Sequence, residues 1–245
     1  MIPYWVLAGG VLGAILGSFL ATLLLRWPHG RSVITGRSQC DHCGRPLRAS
    51  ELIPILSFLA SRGRCRGCAA PIARFHPMVE LSAAALGGLA AWIVPDPRAL
   101  VLALFWWQLL TLAVLDARHF WLPDRLTLLL ALSGVALGGL LWGEPLLDRL
   151  IGGGAGFAVL ALLGAGYRLA RGRDGLGAGD PKLFAAIGCW LGWAALAPVL
   201  LVAALAGLGV AIAGRKQRFE ALPLGTFLAV GATIWSGTQL LRLVA

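Results

Sequence analysis

The sequence predicts an all-α polytopic membrane protein of about eight transmembrane helices (six to eight). A small cytoplasmic four-cysteine, zinc-ribbon-like insertion is expected after the first helix. Three observations predict this class. Of the 245 residues 58% are apolar and only 13% charged, whereas a soluble domain is nearer half apolar and a quarter charged. The apolar residues gather in long runs, with the 21 Lys and Arg between them. Two Cys-x-x-Cys pairs occupy the one sizeable polar stretch. The 33 glycines follow no collagen period and form no low-complexity tract, so a disordered chain is not the reading.

Eight runs are read as membrane helices: 4–25, 77–94, 99–115, 126–142, 149–168, 181–194, 196–213 and 221–241. Most reach the roughly 17 to 25 residues that cross about 30 Å of hydrocarbon. The sixth is short, and in one reading it joins the seventh as a re-entrant hairpin turning near Pro198. Gly9, Gly13 and Gly17 recur at every fourth position, and Gly152 with Gly156 repeats the spacing. Small residues so spaced line one helix face and let a second backbone approach closely. No basic segment precedes the first run and Arg26 follows it, so it reads as a retained helix rather than a cleaved signal peptide.

Lys and Arg collect in cytoplasmic loops. With the spans taken alternately, eighteen of the 21 fall on one side: nine arginines from Arg26 to Arg74, then Arg118, Arg125, Arg168, Arg171, Arg173, Lys182, Arg215, Lys216 and Arg218. Only Arg98, Arg149 and Arg242 fall on the other, offset by Asp96, Glu144 and Asp148. The net charge of +10 is therefore a topology signal, and no nucleic acid is expected as a partner. Both termini should face away from the cytoplasm, with membrane lipid around the spans. Three segments follow: a first transmembrane helix at 1–26, a cytoplasmic zinc-binding domain at 27–76 and a membrane domain at 77–245.

The polar segment from Trp27 to His76 has few large apolar side chains and needs a cross-link to fold. Cys40, Cys43, Cys65 and Cys68 form two knuckle-like pairs 21 residues apart, with Gly44 and Gly67 suiting tight turns around thiolates. That pattern fits a structural zinc site of four thiolates, which leaves no open position for catalysis. Two disulfides are the alternative, disfavoured in a reducing cytoplasm. His42 reads as a surface residue and Cys189 as a small packing residue.

Ionisable residues at membrane helix ends are costly and point to function. Asp116 ends the third run, and Asp180 lies in Gly177-Ala178-Gly179-Asp180-Pro181-Lys182 at the start of the sixth. Both ends face the same side. In a shared, partly dry site the second ionisation is opposed by the first, so such a pair holds one proton near neutral pH. An Asp dyad can activate water against a peptide bond, with Gly177 and Gly179 letting a substrate backbone approach. The other reading of Asp180 is a helix N-cap with Pro181 at the first helical position. Asp124 is read as a similar structural cap.

Several ordered motifs resemble the type IV prepilin leader peptidases, membrane aspartyl proteases of the GxGD type. They are Leu16-Gly17-Ser18-Phe19-Leu20, the four cysteines, Glu51-Leu52-Ile53-Pro54, Met78-Val79-Glu80-Leu81, Asp116 to Thr127, Gly177 to Lys182, and Leu222-Pro223-Leu224-Gly225-Thr226-Phe227. Ala21 stands where the family has asparagine. The resemblance implies that 77–245 is the aspartyl protease domain and that Asp116 and Asp180 are its catalytic pair. It also implies a bacterial inner-membrane enzyme, active on the cytoplasmic side, that cuts the basic leader from prepilins or type II secretion pseudopilins. Methylation of the new N-terminus with S-adenosylmethionine is implied by the resemblance alone. Glu51 and Glu80 are candidates for holding a cationic leader or amine, or for pairing with loop arginines. A proton-coupled transporter using the same Asp residues and a non-catalytic zinc-ribbon adaptor are the competing readings. A transporter would place its carboxylates near mid-membrane and show paired halves.

Overall fold

The computed structural model describes residues 2–32, 38–40, 42–213 and 222–244. The loop basic residues Arg37, Arg215, Lys216 and Arg218, counted above, lie outside the described residues. The chain divides into two compact units, 1–103 and 104–245.

In the N-terminal unit, α1 (Ile2–Arg26) packs along α3 (Phe75–Ile93), with the short α2 (Leu56–Ala60) in the polar segment between them. The glycine stripe makes this packing possible. A Cβ on Gly9 or Gly13 would collide with the carbonyls of Gly87 and Ala83, and one on Gly17 would lie 2.7 Å from the Glu80 Cα. The two backbones thus touch along the face that the four-residue spacing marked.

In the C-terminal unit, which begins within α4 (Ala99–His119), follow α5 (Asp124–Leu137), the single turn α6 (Gly139–Trp142), α7 (Leu146–Arg171), α8 (Asp180–Leu191), α9 (Leu196–Ala213) and α10 (Leu224–Val244). Helix α8 is the centre of this unit. It packs against α5 and α7, and all but two of its twelve residues are buried. Cβ atoms on Gly152 and Gly156 would lie 2.7 and 2.8 Å from the Gly188 and Phe184 carbonyl oxygens, so the second glycine pair repeats the logic of the first. Phe105 stacks on Trp190 at 4.6 Å, and the Trp190 indole donates to the Leu130 carbonyl at 2.8 Å. Cys189 is buried, as expected of a packing residue.

Among the described residues six helices are long and apolar enough to cross a membrane, at the lower bound of the expected count. Helix α8, about 18 Å long at 1.5 Å per residue, is too short to span. The turn expected near Pro198 lies instead at Gly192, whose φ of +76° ends α8. Pro198 sits in the first turn of α9, where a missing N–H costs no hydrogen bond. Arg149, read as a balanced loop charge, is buried in α7. Its guanidinium donates to the carbonyls of Gly134 and Val135 at 2.8 Å each and Glu144 at 3.2 Å. It satisfies the broken end of α5, as a buried cation must be satisfied.

Candidate active site and metal centre

Asp116 stands in the last turn of α4 and Asp180 is the first residue of α8. Each residue is only 5% exposed. The fold brings both to one place beside the start of α10. Asp116 Oδ2 accepts the Thr226 N–H at 2.7 Å and lies 3.2 Å from Thr226 Oγ, which also donates to the Ala113 carbonyl at 3.0 Å. Asp180 Oδ2 accepts the Gly177 N–H at 3.0 Å. Gly225 stands beside this corner at the start of α10, and Asp180 feels the charge of Asp116. Two acids within electrostatic reach, supplied with fixed donors, can share a proton and orient a water.

Close glycines are built into this corner. A Cβ on Gly225 would lie 3.0 Å from Asp116 Oδ2 and 2.9 Å from Leu122 Cδ1, and one on Gly179 would lie 2.7 Å from Leu122 Cβ. Gly177 contributes its N–H and, with Ala178, stays accessible beside the buried Asp180. Gly179, not Asp180, is the N-cap of α8, and Pro181 follows inside the first turn. Asp180 is thereby freed from capping. Asp124 is likewise not a cap: Pro123 holds that position, and Asp124 pairs with Lys182 at 2.6 Å. Sequence reasoning located the Gly225-Thr226 motif by resemblance but assigned it no role. The signal missed was a threonine after glycine at a helix start, able to offer both N–H and hydroxyl to an acid.

In the N-terminal unit both knuckle turns are closed by the same hydrogen bonds. Cys40 N–H donates to the Arg45 carbonyl and Cys65 N–H to that of Ala70, both at 2.9 Å, while the N–H groups of Gly44 and Ala69 donate back to the carbonyls of the two cysteines at 2.9 Å. Gly44 takes the left-handed conformation at φ +68°, and in the second knuckle Ala69 does so at +56°. Gly67, expected to serve the turn, serves packing: a Cβ there would meet Arg45 Nε at 2.9 Å. Ala69→Gly is accordingly expected to stabilise the segment by roughly 0.5–1 kcal/mol, relief of left-handed strain exceeding glycine's entropic cost. A higher midpoint for thermal unfolding of the segment would register it.

All five cysteines are free thiols, so the alternative of two disulfides is not adopted. The four sulfurs of Cys40, Cys43, Cys65 and Cys68 lie within 4.8 Å of one another, with Cys40 and Cys68 at 3.9 Å. Tetrahedral zinc with bonds of about 2.3 Å requires about 3.8 Å between sulfurs, so the donor set fits. The N–H groups of Cys68 and Gly67, with Cys40 and the Arg45 guanidinium, pull the Cys65 thiol down to about 6. Against the Ala70 N–H, burial and the three other thiols push Cys68 up to about 11. Four thiolates this close would repel one another, and a cation among them would offset that repulsion. Zinc there would cross-link the two knuckles.

Glu51 forms a two-pronged pair with Arg45 at 2.7 and 3.1 Å and accepts the Arg48 N–H at 2.9 Å. Arg45 and that N–H hold its carboxyl down to about 2. Of the two roles open to Glu51, arginine pairing is the one adopted. Glu80 behaves differently: among the described residues it pairs with no arginine and accepts the Ile55 N–H at 2.7 Å. It belongs to the N-terminal unit, whereas both Asp residues belong to the other.

Two family profiles match the chain: the bacterial peptidase A24 N-terminal domain over residues 11–94 and the type IV leader peptidase family over 102–212. Relatives described as prepilin leader peptidase/N-methyltransferase include one from Burkholderia pseudomallei strain 1026b, 38% identical over 93% of this chain and 84% of the relative. One from Aeromonas hydrophila is 40% identical over 83% and 72%, and one from Stutzerimonas stutzeri 32% identical over 94% and 91%. No solved structure matches the chain.

Proposed function

The chain belongs to the type IV leader peptidase family, and from that premise we propose that it is a multi-pass membrane aspartic endopeptidase that removes the basic leader from prepilins or type II secretion pseudopilins. The carrying observation is the convergence of Asp116 and Asp180 on one corner beside Gly225 and Thr226. Asp116, with Thr226 as donor, is the ionised partner and takes a proton from water. Asp180 carries the shared proton to the scissile carbonyl, beside the accessible backbone of Gly177 and Ala178, along which an extended substrate strand can lie. Methylation of the newly exposed amine, with S-adenosylmethionine as methyl source, is the second activity.

The setting we infer is the bacterial inner membrane, with termini outside and the Asp pair toward the cytoplasm. Support comes from the clustering of Lys and Arg on the helix ends nearest both acids: Arg118 and His119 close α4, Arg168 and Arg171 close α7, and Lys182 follows Asp180. The cytoplasmic domain at 27–76 then carries structural zinc on its four cysteines, and 77–245 forms the protease domain. Carboxylates at helix ends favour hydrolysis over proton transport, which would use mid-membrane sites.

Purified chain in lipid nanodiscs, mixed with a prepilin, should release the leader and yield a mature product heavier by one methyl when S-adenosylmethionine is added. Absence of any leader cleavage in active-site-intact, folded protein would sink the proposal. Thr226→Val keeps the N–H to Asp116 and removes only the hydroxyl, so kcat is expected to fall roughly tenfold with KM little changed. Steady-state cleavage of a fluorogenic leader peptide checks the split.

A further inference from the structure

The short helix α2 has two unlike sides. Ser57 and Phe58 turn inward. Both border a cavity of about 710 Å³ that Glu80 shares with Arg26, Arg31, Arg64 and Arg66, and the Phe58 ring packs on Gly63, where a Cβ would lie 3.0 Å from it. The other side is apolar and bare. Ile53, Leu56 and Leu59 are not among the side chains bordering that cavity, and they are 48%, 64% and 64% exposed. Leu56 and Leu59, three apart, are neighbours on one helix face. Large apolar side chains grouped on the surface of a polar segment mark an interaction surface.

A tether to the membrane helices sets the level at which this face lies. The Ile55 N–H donates to Glu80 Oε2 at 2.7 Å, and Glu80 lies against Gly17 of α1, where a Cβ would come within 2.7 Å of the Glu80 Cα. Helix α1 is long and apolar enough to span. Its 25 residues measure about 37 Å against about 30 Å of hydrocarbon. Gly17 precedes its Arg26 end by nine residues, about 13 Å, which is inside the apolar layer. A helical side chain leans toward its helix N-terminus; for α3 that is the end beside Arg26, so Glu80 returns Ile55 to the boundary between hydrocarbon and headgroups. The backbone is strained to hold this tether. Ile55 has φ +62° and ψ −52°, and Leu56 N–H reaches the Pro54 carbonyl at 2.5 Å. This is the rare γ-turn with positive φ, unfavourable for a β-branched residue. It commits the Ile55 amide to Glu80 while Ile53 and Leu56 on either side stay exposed, and such strain persists where a site needs it.

We propose that Ile53, Leu56 and Leu59 seat in the lipid leaflet at the Arg26 end of α1, among the first carbons of the acyl chains. The segment that carries the four cysteines is then a membrane-surface domain, docked through α2, and not one held only by its two ends. Lipid is the occupant that the level of the tether favours. Met78 and Leu81, on either side of Glu80 in α3, are exposed as well, so the apolar outer surface of α3 begins where α2 is held. Arg62, exposed directly after α2 and free of salt bridges among the described residues, is placed to meet a headgroup phosphate while its stem covers apolar surface.

The test is photolabelling of the unaltered full chain in phosphatidylcholine nanodiscs, with a diazirine near the ester end of one acyl chain. Peptide mapping should find lipid adducts on residues 53–59 as well as on the long helices, and none on the knuckles at 42–46 and 65–69. Moving the diazirine to the chain terminus should lower the yield on 53–59 at least about fivefold while α1 still labels, as an interfacial seat requires. L56E combined with L59E should lower the yield on 53–59 by a similar factor with that on α1 unchanged. L59E alone, the milder change, covers the case in which the pair misfolds; size-exclusion profile and metal content report folding. Adducts confined to the long helices, or an undiminished yield on 53–59 in the folded variants, overturn the seat. So does a yield there that rises as the diazirine moves to the chain terminus. Crosslinks from 53–59 to a second copy or to an added prepilin, in place of lipid adducts, assign the face to that partner and overturn the proposal. None of these outcomes bears on leader cleavage, which is measured separately.

Discussion

Asp180→Asn is expected to lower kcat/KM for leader cleavage at least about a thousandfold, and Asp116→Asn to do the same. Asparagine has the shape of aspartate and retains an acceptor, so the Gly177 N–H and the Thr226 N–H keep their partners. Neither amide can exchange a proton with water or with the other acid. The fold should survive, because each substitution replaces a buried acid by a neutral group of nearly equal volume. A dyad is a unit, so the double variant should be little worse than either single one. Single-turnover cleavage followed by mass spectrometry is the measurement. A variant that still cuts at close to the wild-type rate removes that acid from the chemistry.

The second large effect is expected at Cys65. It is buried, accepts the Gly67 N–H at 3.4 Å and ionises far more readily than Cys68. Cys65→Ser removes a thiolate that a serine hydroxyl does not replace. Structural zinc in small peptides contributes on the order of 10–16 kcal/mol, more than so small a polar segment can supply from burial. Metal analysis should therefore find about one zinc per wild-type chain and almost none in the variant. Limited proteolysis should then cut between 38 and 74 far faster. A metal-free wild-type chain that resists the protease would show that the Arg45–Glu51 pair and the knuckle turns hold the segment unaided.

Much of the site was legible because membrane segments make the few acids conspicuous. Asp116 follows an unbroken apolar run, and Asp180 follows a glycine-rich turn; each would be expensive there without a use. The four cysteines were legible by spacing alone. What was missed depended on partners far along the chain. Nothing local distinguishes Glu51, which is paired with Arg45, from Glu80, which is not. Gly67 looked like a turn residue, yet it makes room for Arg45, and the left-handed position fell to Ala69. Arg149 was counted with the loops, although its three carbonyl partners draw it inside.

The sequence by itself determined the membrane class, the glycine faces along which α1 meets α3 and α7 meets α8, the thiol quartet and the two acids. Those features are periodic or compositional, and both properties are carried by neighbouring residues. Tertiary structure alone decided that α8 stops at Gly192 and lies buried as a short central helix, that Thr226 and Gly177 supply donors to the acids, and that Glu80 opens onto a cavity lined by arginines. Each of these is set by where a distant backbone happens to end or turn, and the geometry of a donor or a void exists only once the helices have packed.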